Sequence, residues 1–393
     1  MSQHDDSLNR REFLATAGAL GTGMLLAGTL EKEAEAAVGS IPKVPIGSSG
    51  KKISQLIFGT SLTLSLPLIK AYTDLGGRAF DSARDYKNER QLGAFLRQLR
   101  IPRDQLFLIS KLPERLQRQA ASVLAGELQR SLNELQMDSV NAFFLHNLTD
   151  PNLLRDKALR RAFDQLRGAG KLQFPGFSVH HGQAVACLNE AARQKWPPLI
   201  LVKYSFRDYG NQALQDALKR CKQAGLFVIA MKVQGGHLGT ARTDPFQAKG
   251  YTIYQAALRA ALSDPNIGAV VSAMKTIPQV KENSRAALQK PGLAQAEWDL
   301  LREYARETDH LYCRGCDHLC GRVCDRPLAI ADILRYKMYY DFYGDPERAR
   351  HLYARLPLEA RDLSGVDLAA CEAACPYHVP LQELLPEATA KLA

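Results

Sequence analysis

Residues 106–147, "LFLISKLPERLQRQAASVLAGELQRSLNELQMDSVNAFFLHN", decide the fold. Two short apolar runs, 106–112 and 140–147, bracket an amphipathic stretch at 121–135, which reads as buried strand, helix, buried strand. The unit recurs from Ser54 to about Ile277. Its other strand runs are "QLIFGT", "GRAFDSA", "LQFPGFSV", "LILVKYS", "LFVIAMK" and "IGAVVSAM". Eight strand-then-helix units in a span of this length fit an α/β chain closed into a (β/α)8 TIM barrel better than an open sheet. Such a barrel carries its chemistry at the C-terminal strand ends, so the polar residues ending the second, third and fourth strands stand out: Asp81, Lys111 and His146. Tyr86 follows Asp81 by five residues.

"FDSARDY", "ISKLP" and "FFLHN", with "LIFGT" on the first strand and "GFSVHHG" after the fifth, resemble the catalytic segments of the aldo-keto reductase family. The resemblance runs from about Val44 to Asn283. It implies that a carbonyl or alcohol substrate is reduced or oxidised by hydride transfer from a nicotinamide cofactor, NADP or NAD. Tyr86 would be the general acid, Lys111 would lower its pKa, Asp81 would hold Lys111 charged, and His146 would donate to the carbonyl oxygen. A phenol with a reference pKa of ~10 needs such help to give up a proton near neutrality.

The family lays its cofactor across the strand ends, with the adenosine phosphate in the turn after the eighth strand. "SAMKTIPQVKEN" matches that segment. Lys275 would meet a 2′-phosphate, with Gln279 and Asn283 near the adenine. Gly59, Ser178, Lys232, Ser272 and Met274 complete the implied cofactor-binding set. "AMKVQGG" after the seventh strand is similar to the branch of the family that carries iron–sulfur cysteines, and Met231 stands where many members place an aromatic ring.

Beyond about Gln295 the repeats end. "AQAEWDLLREYARETDHL" reads as a helix leading out of the barrel, followed by "CRGCDHLCGRVC", an aromatic-rich helix and "CEAACPYHVPLQEL". In the cluster-bearing branch this tail is a ferredoxin-like module with two cysteine groups. Leu368 and Gly365 stand where the second group's first two cysteines would fall, so one 4Fe-4S cluster is expected rather than two. Two ligand sets compete: Cys313, Cys316, Cys320 and Cys324, or the first three with Cys375. If Cys375 closes the cluster, Cys324 and Cys371 are left over and form a disulfide. Zinc on four thiolates and a purely disulfide framework are the other readings of these six cysteines. A cluster moves single electrons and a nicotinamide moves two, and no flavin fingerprint links them. A cluster would thus be structural or connect to a substrate able to accept single electrons, with a redox partner protein as a further expected contact. Cys187 and Cys221 lie within helical patterns and read as buried hydrophobes.

At the other end, "SLNRREFLATAGALGTGMLLAGTLEKEAEAA" combines Arg10-Arg11, a moderately apolar run and a small-x-small site at Ala34–Ala36. It reads as a twin-arginine export signal, making the export machinery a partner and the periplasm or cell envelope the destination. No stable membrane span is expected after cleavage. The expected division is 1–36 signal, 41–293 barrel and 294–393 helix plus cysteine-rich module. The net charge is +10. Residues 1–36 hold three basic and six acidic side chains, so the remainder carries +13. The basic residues are scattered without a block or aromatic interleaving, which argues for local anion pockets and against nucleic acid. The alternative to an enzyme is a non-catalytic barrel, or an iron–sulfur electron-transfer or binding protein, that retains the tetrad.

Overall fold

The apolar runs become strands because both faces of each are covered. In the computed structural model, which describes residues 39–180, 182–235, 244–288, 292–324 and 326–393, they are β1 (Leu56–Gly59), β2 (Ala79–Asp81), β3 (Phe107–Leu112), β4 (Val140–Leu145), β5 (Leu172–Val179), β6 (Leu199–Lys203), β7 (Phe227–Met231) and β8 (Ala269–Ser272). The export signal expected at residues 1–36 lies outside the described residues. All eight strands pair in parallel and in chain order, and β8 closes on β1 with Val270 opposite Leu56. The helices are α1 (Leu66–Asp74), α2 (Glu89–Gln98), α3 (Ala120–Leu135), α4 (Lys157–Gly168), α5 (Ala184–Gln194), α6 (Gln212–Gln223), α7 (Ile253–Ser263) and α8 (Ile277–Leu288). The result is the (β/α)8 barrel. A short antiparallel hairpin, Lys43–Pro45 with Lys52–Ser54, precedes it and is an element that the sequence reading did not anticipate.

Strand periodicity then assigns each side chain a direction. Ile57, Ala79, Phe107, Ile109, Ala142, Phe144, Leu199, Leu201 and Ile229 form one buried cluster within the barrel. Their neighbours Leu56, Phe58, Phe80, Leu108, Phe143, Leu145, Ile200 and Val202 join a second cluster with helix leucines such as Leu124, Leu128 and Leu132 of α3. Two residues beyond Ala79, Ile109 and Phe144 come Asp81, Lys111 and His146. The period that builds the core therefore turns all three into the lumen at the C-terminal mouth.

The remainder of the chain forms one compact unit with the barrel, spanning Ile41–Ala393. Helix α9 (Gln295–Thr308) lays Leu301 and Tyr304 on Ile253, Ala256 and Ala260 of α7. Helices α10 (Ile330–Asp341), α11 (Pro346–Ala354), α12 (Leu368–Ala373) and α13 (Leu381–Leu392) share a core of Ile333, Leu334, Tyr353, Leu381, Leu385 and Leu392 with Cys371 and Cys375. Four contacts seat this module on the barrel mouth. Lys203 donates to Arg314 O, Lys275 to Tyr343 O, Arg348 to Ser61 O, and Arg314 to Arg207 O at 2.8 Å. Among the described residues no helix is long and apolar enough to cross a membrane.

Candidate active site at the barrel mouth

Lys111 is 1% exposed and Asp81 4%. A buried ammonium requires compensation. Lys111 Nζ finds it by donating to Asp81 Oδ1 at 2.6 Å and to Ser82 O at 2.7 Å. The same ammonium lies 5.1 Å from the centre of the Tyr86 ring, and that ring meets His146 edge-on with centroids 5.7 Å apart. Asp81, Tyr86, Lys111 and His146 are thus brought together. Tyr86 is held well above the ordinary phenol range, first by burial and then by the Asp81 carboxylate. Burial in turn pushes Lys111 down, against the pull of Asp81. Tyr86 therefore keeps its proton in the resting site and can release it only to a strongly basic oxygen.

Further groups surround His146 that sequence reasoning missed. Its Nδ1 lies 3.0 Å from Asp85 Oδ2, and that oxygen also accepts from Glu114 N at 3.1 Å. Gln117 Nε2 donates to His146 O and, at 2.9 Å, to Asn147 O. Asn147 has a left-handed backbone (φ 54°), donates its N–H to Ser178 Oγ at 2.9 Å and its amide to Glu114 Oε1 at 2.6 Å. Asp85 stands next to Tyr86 in the sequence, but a loop gives no periodicity from which its direction can be read.

The residues expected around a cofactor fare unevenly. Ser272, Gln234 and Asn283 close a triangle of hydrogen bonds: Asn283 to Ser272 Oγ at 3.0 Å, Ser272 to Gln234 at 3.3 Å, and Gln234 to Asn283 Oδ1 at 3.0 Å. Gln279 accepts from Lys275 N at 2.7 Å. The Lys275 ammonium is turned toward Tyr343, 5.5 Å from its ring centre. Met274 is fully buried in the barrel–helix core, leaving only its backbone for a ligand. Gly59 is explained by packing, since a Cβ there would come within 2.9 Å of Val271 Cγ1. Lys232 sits in a left-handed conformation (φ 58°). Its ammonium is driven well below the ordinary range by burial and by the neighbouring Arg335 and Lys203. Lys203 ends β6 with the same inward parity as Lys111, a signal that the strand-end rule could have used. An open groove of about 480 Å³ lies at the head of α8, lined by Gln247, Thr252, Gln255, Lys281 and Arg285 among others.

In the module, Cys313, Cys316, Cys320 and Cys375 line one enclosed apolar cavity with Ile330, Pro376 and Val379. All four are thiols. Burial raises Cys313, and burial with its neighbours Cys313 and Cys375 raises Cys316 to about 11. Cys324 and Cys371 are joined as a disulfide. Cys187 and Cys221 are fully buried in the barrel–helix core. Among the described residues no three His, Cys, Asp or Glu converge as ligands of a single metal ion.

Residues 59–305 match the model of the Aldo/keto reductase family. The chain is 32% identical over 116 residues to the glyoxal reductase of Bacillus subtilis, a match covering 29% of this chain and 40% of that protein. It is 26% identical over 217 residues to the prostaglandin-E(2) 9-reductase of Oryctolagus cuniculus, covering 48% and 66%. The chain thus spans less than two thirds of the length of these curated relatives. The crystal structure of an aldo-keto reductase from Klebsiella pneumoniae in complex with NADPH shares the fold, with a TM-score of 0.55, 22% identity, and coverage of 67% of this chain and 95% of that one.

Proposed function

This chain belongs to the aldo/keto reductase family, and on that premise we propose that it reduces a small carbonyl compound by hydride transfer from NADPH, with NADH as the less favoured donor. The observation that carries the proposal is the convergence of Asp81, Lys111 and His146 on Tyr86 at the mouth. When bound, the dinucleotide supplies the hydride. The chain's own work is to hold the carbonyl oxygen against Tyr86 and His146, keep water out, and deliver the Tyr86 proton as negative charge develops on that oxygen. The groove at the head of α8, with Lys281 and Arg285, is the natural seat for the adenosine end. The test is NADPH oxidation with short aldehydes by wild type and Tyr86→Phe. A loss of at least about 10²-fold in the variant, with the fold intact by circular dichroism, supports the proposal. Equal rates, or a wild type that neither turns over nor binds nucleotide, overturn it.

The remaining functional assignments belong to the same proposal. Residues 1–36 direct twin-arginine export to the periplasm or envelope, 41–293 carry the chemistry, and 294–393 hold one 4Fe-4S cluster on Cys313, Cys316, Cys320 and Cys375. In favour of that set, these four thiols share one apolar cavity while Cys324 and Cys371 are tied to each other. Zinc on the same thiolates, with Zn–S bonds of ~2.3 Å, is the less favoured reading. Assay of iron, acid-labile sulfide, zinc and nucleotide on one anaerobic preparation decides between them.

One feature favours the second reading, a barrel that binds or passes electrons without carbonyl turnover. Tyr339 and Arg348 of the module face Tyr86 closely enough to act on its ionisation, and Lys275 is engaged by Tyr343. Iron and sulfide without nucleotide would select that reading.

A further inference from the structure

We infer that Asp85 is a positioning residue that fixes the tautomer of His146, so that His146 can donate from Nε2 to a carbonyl oxygen only as the imidazolium. The inference rests on the proposed carbonyl chemistry for its functional half and on geometry alone for its tautomer half. A neutral imidazole carries one N–H, and the hydrogen bond made by one nitrogen decides the state of the other. His146 Nδ1 is 3.0 Å from Asp85 Oδ2. Hydrogen bonds to His146 and to Glu114 N hold the Asp85 carboxyl below its ordinary range against the opposing effect of burial, so near neutrality it is an acceptor only. Nδ1 must then carry the proton, and neutral His146 presents a lone pair at Nε2.

Nε2 facing a carbonyl oxygen would place two acceptors against each other. Donation there requires a second proton on the ring. In reduction the hydride pair goes to the carbonyl carbon, the C=O π pair moves to oxygen, and that oxygen takes its proton from Tyr86. His146 lends an N–H hydrogen bond and keeps its proton throughout. In the reverse direction the alcohol proton returns to Tyr86 as the hydride leaves the carbon, and His146 keeps its hydrogen bond to the same oxygen.

The charged and titratable groups around the ring come from several elements. Asp85 and Tyr86 lie on the loop after β2, and Lys111 ends β3 beside Tyr86. Glu114 follows β3 and feels the charge of His146, while Arg115 acts on Asp85. From the module, Asp332 acts on Glu114, and Tyr339 and Arg348 act on Tyr86. Asp85 is the carboxylate hydrogen-bonded to the ring.

The test is imidazole ¹⁵N NMR of the full chain with wild type, Asp85→Asn and Asp85→Ala, using His146→Asn to assign the signals. In wild type the neutral ring of His146 is expected to carry its proton on Nδ1. Asp85→Ala is expected to lose that restriction and populate the Nε2–H form. Asp85→Asn, which keeps the shape, guards against a folding defect in the alanine variant. An Nε2–H form in neutral wild type, or no change on removing Asp85, overturns the inference. Where turnover is measurable, the pH profile of reductive kcat/KM is expected to differ between wild type and Asp85→Ala by about tenfold or more on its basic side. An unchanged profile refutes the functional half. Absence of all turnover with Nδ1 protonated would instead sink the carbonyl chemistry and leave the dyad standing.

Discussion

Replacing Lys111 by methionine keeps much of its volume and strands Asp81. The two side chains are 1% and 6% exposed and 2.6 Å apart, so solvent can take over little of the lost partner's role. Removing one member of such a pair costs about 3–5 kcal/mol. The structure allows a sharper expectation, because the stranded carboxylate can escape by taking a proton. Relative to an ordinary Asp pKa of ~3.9, protonation costs about 4 kcal/mol at pH 7 and about 1.5 kcal/mol at pH 5, which sets a ceiling on the electrostatic part. Loss of the donor to Ser82 O adds about 1 kcal/mol that does not depend on pH. In the variant Asp81 binds its proton more readily folded than unfolded, so the folded state holds more protons and its stability falls as pH rises. The deficit of Lys111→Met against wild type, read from urea unfolding followed by circular dichroism, should therefore grow by about 2–3 kcal/mol between pH 5 and pH 7. The double variant Asp81→Leu, Lys111→Met removes both charges and should recover most of it. A deficit below about 1 kcal/mol at pH 7, or one that is flat between pH 5 and 7, would refute the view of this pair as a buried, mutually dependent one.

The Cys324–Cys371 link closes a loop with a sequence separation of 47, for which the chain-entropy account gives about 4 kcal/mol. Thermal melting of wild type with and without dithiothreitol should show that loss, and Cys324→Ser should melt early under both conditions. Arg348→Ala removes the bond to Ser61 O that helps seat the module over Tyr86. It should tighten NADPH binding by several-fold in a fluorescence titration, and a weaker or unchanged affinity would show that the module does not compete with the cofactor.

Legibility in the sequence followed periodicity. Every barrel strand was readable because a barrel strand is covered on both faces, whereas the short two-stranded hairpin before the barrel was not. The run at 172–179 coincides with β5, and the others differ from their strands by a few residues at the ends. The tetrad was readable for the same reason, since Asp81, Lys111 and His146 continue the inward parity of Ala79, Ile109 and Phe144. Met274 lies between polar Ser272 and Lys275, yet its side chain belongs to the outer core, so only its backbone is open to a ligand. Asp85, Glu114, Tyr339 and Arg348 were missed because loops and module docking have no period. A hydrogen bond such as Arg348 to Ser61 O, spanning 287 positions, leaves no local trace.

That docking changes what the tetrad implies. A protein whose binding-competent state is only a fraction f of the total shows an affinity reduced by that fraction. The module holds the mouth through Lys203, Lys275 and Arg348, each donating to a backbone carbonyl. At roughly 1 kcal/mol each, three such bonds would amount to about 3 kcal/mol, or a factor near 10² in apparent affinity. Lys275 links the two events directly, because the side chain that would meet a 2′-phosphate is the one now donating to Tyr343 O. A dinucleotide that bears this phosphate offers Lys275 a charged partner in exchange for a neutral carbonyl, whereas one without it offers none. With Lys275 at a 2′-phosphate as proposed, NADPH should displace Tyr343 more readily than NADH, and equal affinities of the two dinucleotides for the full chain would refute that link.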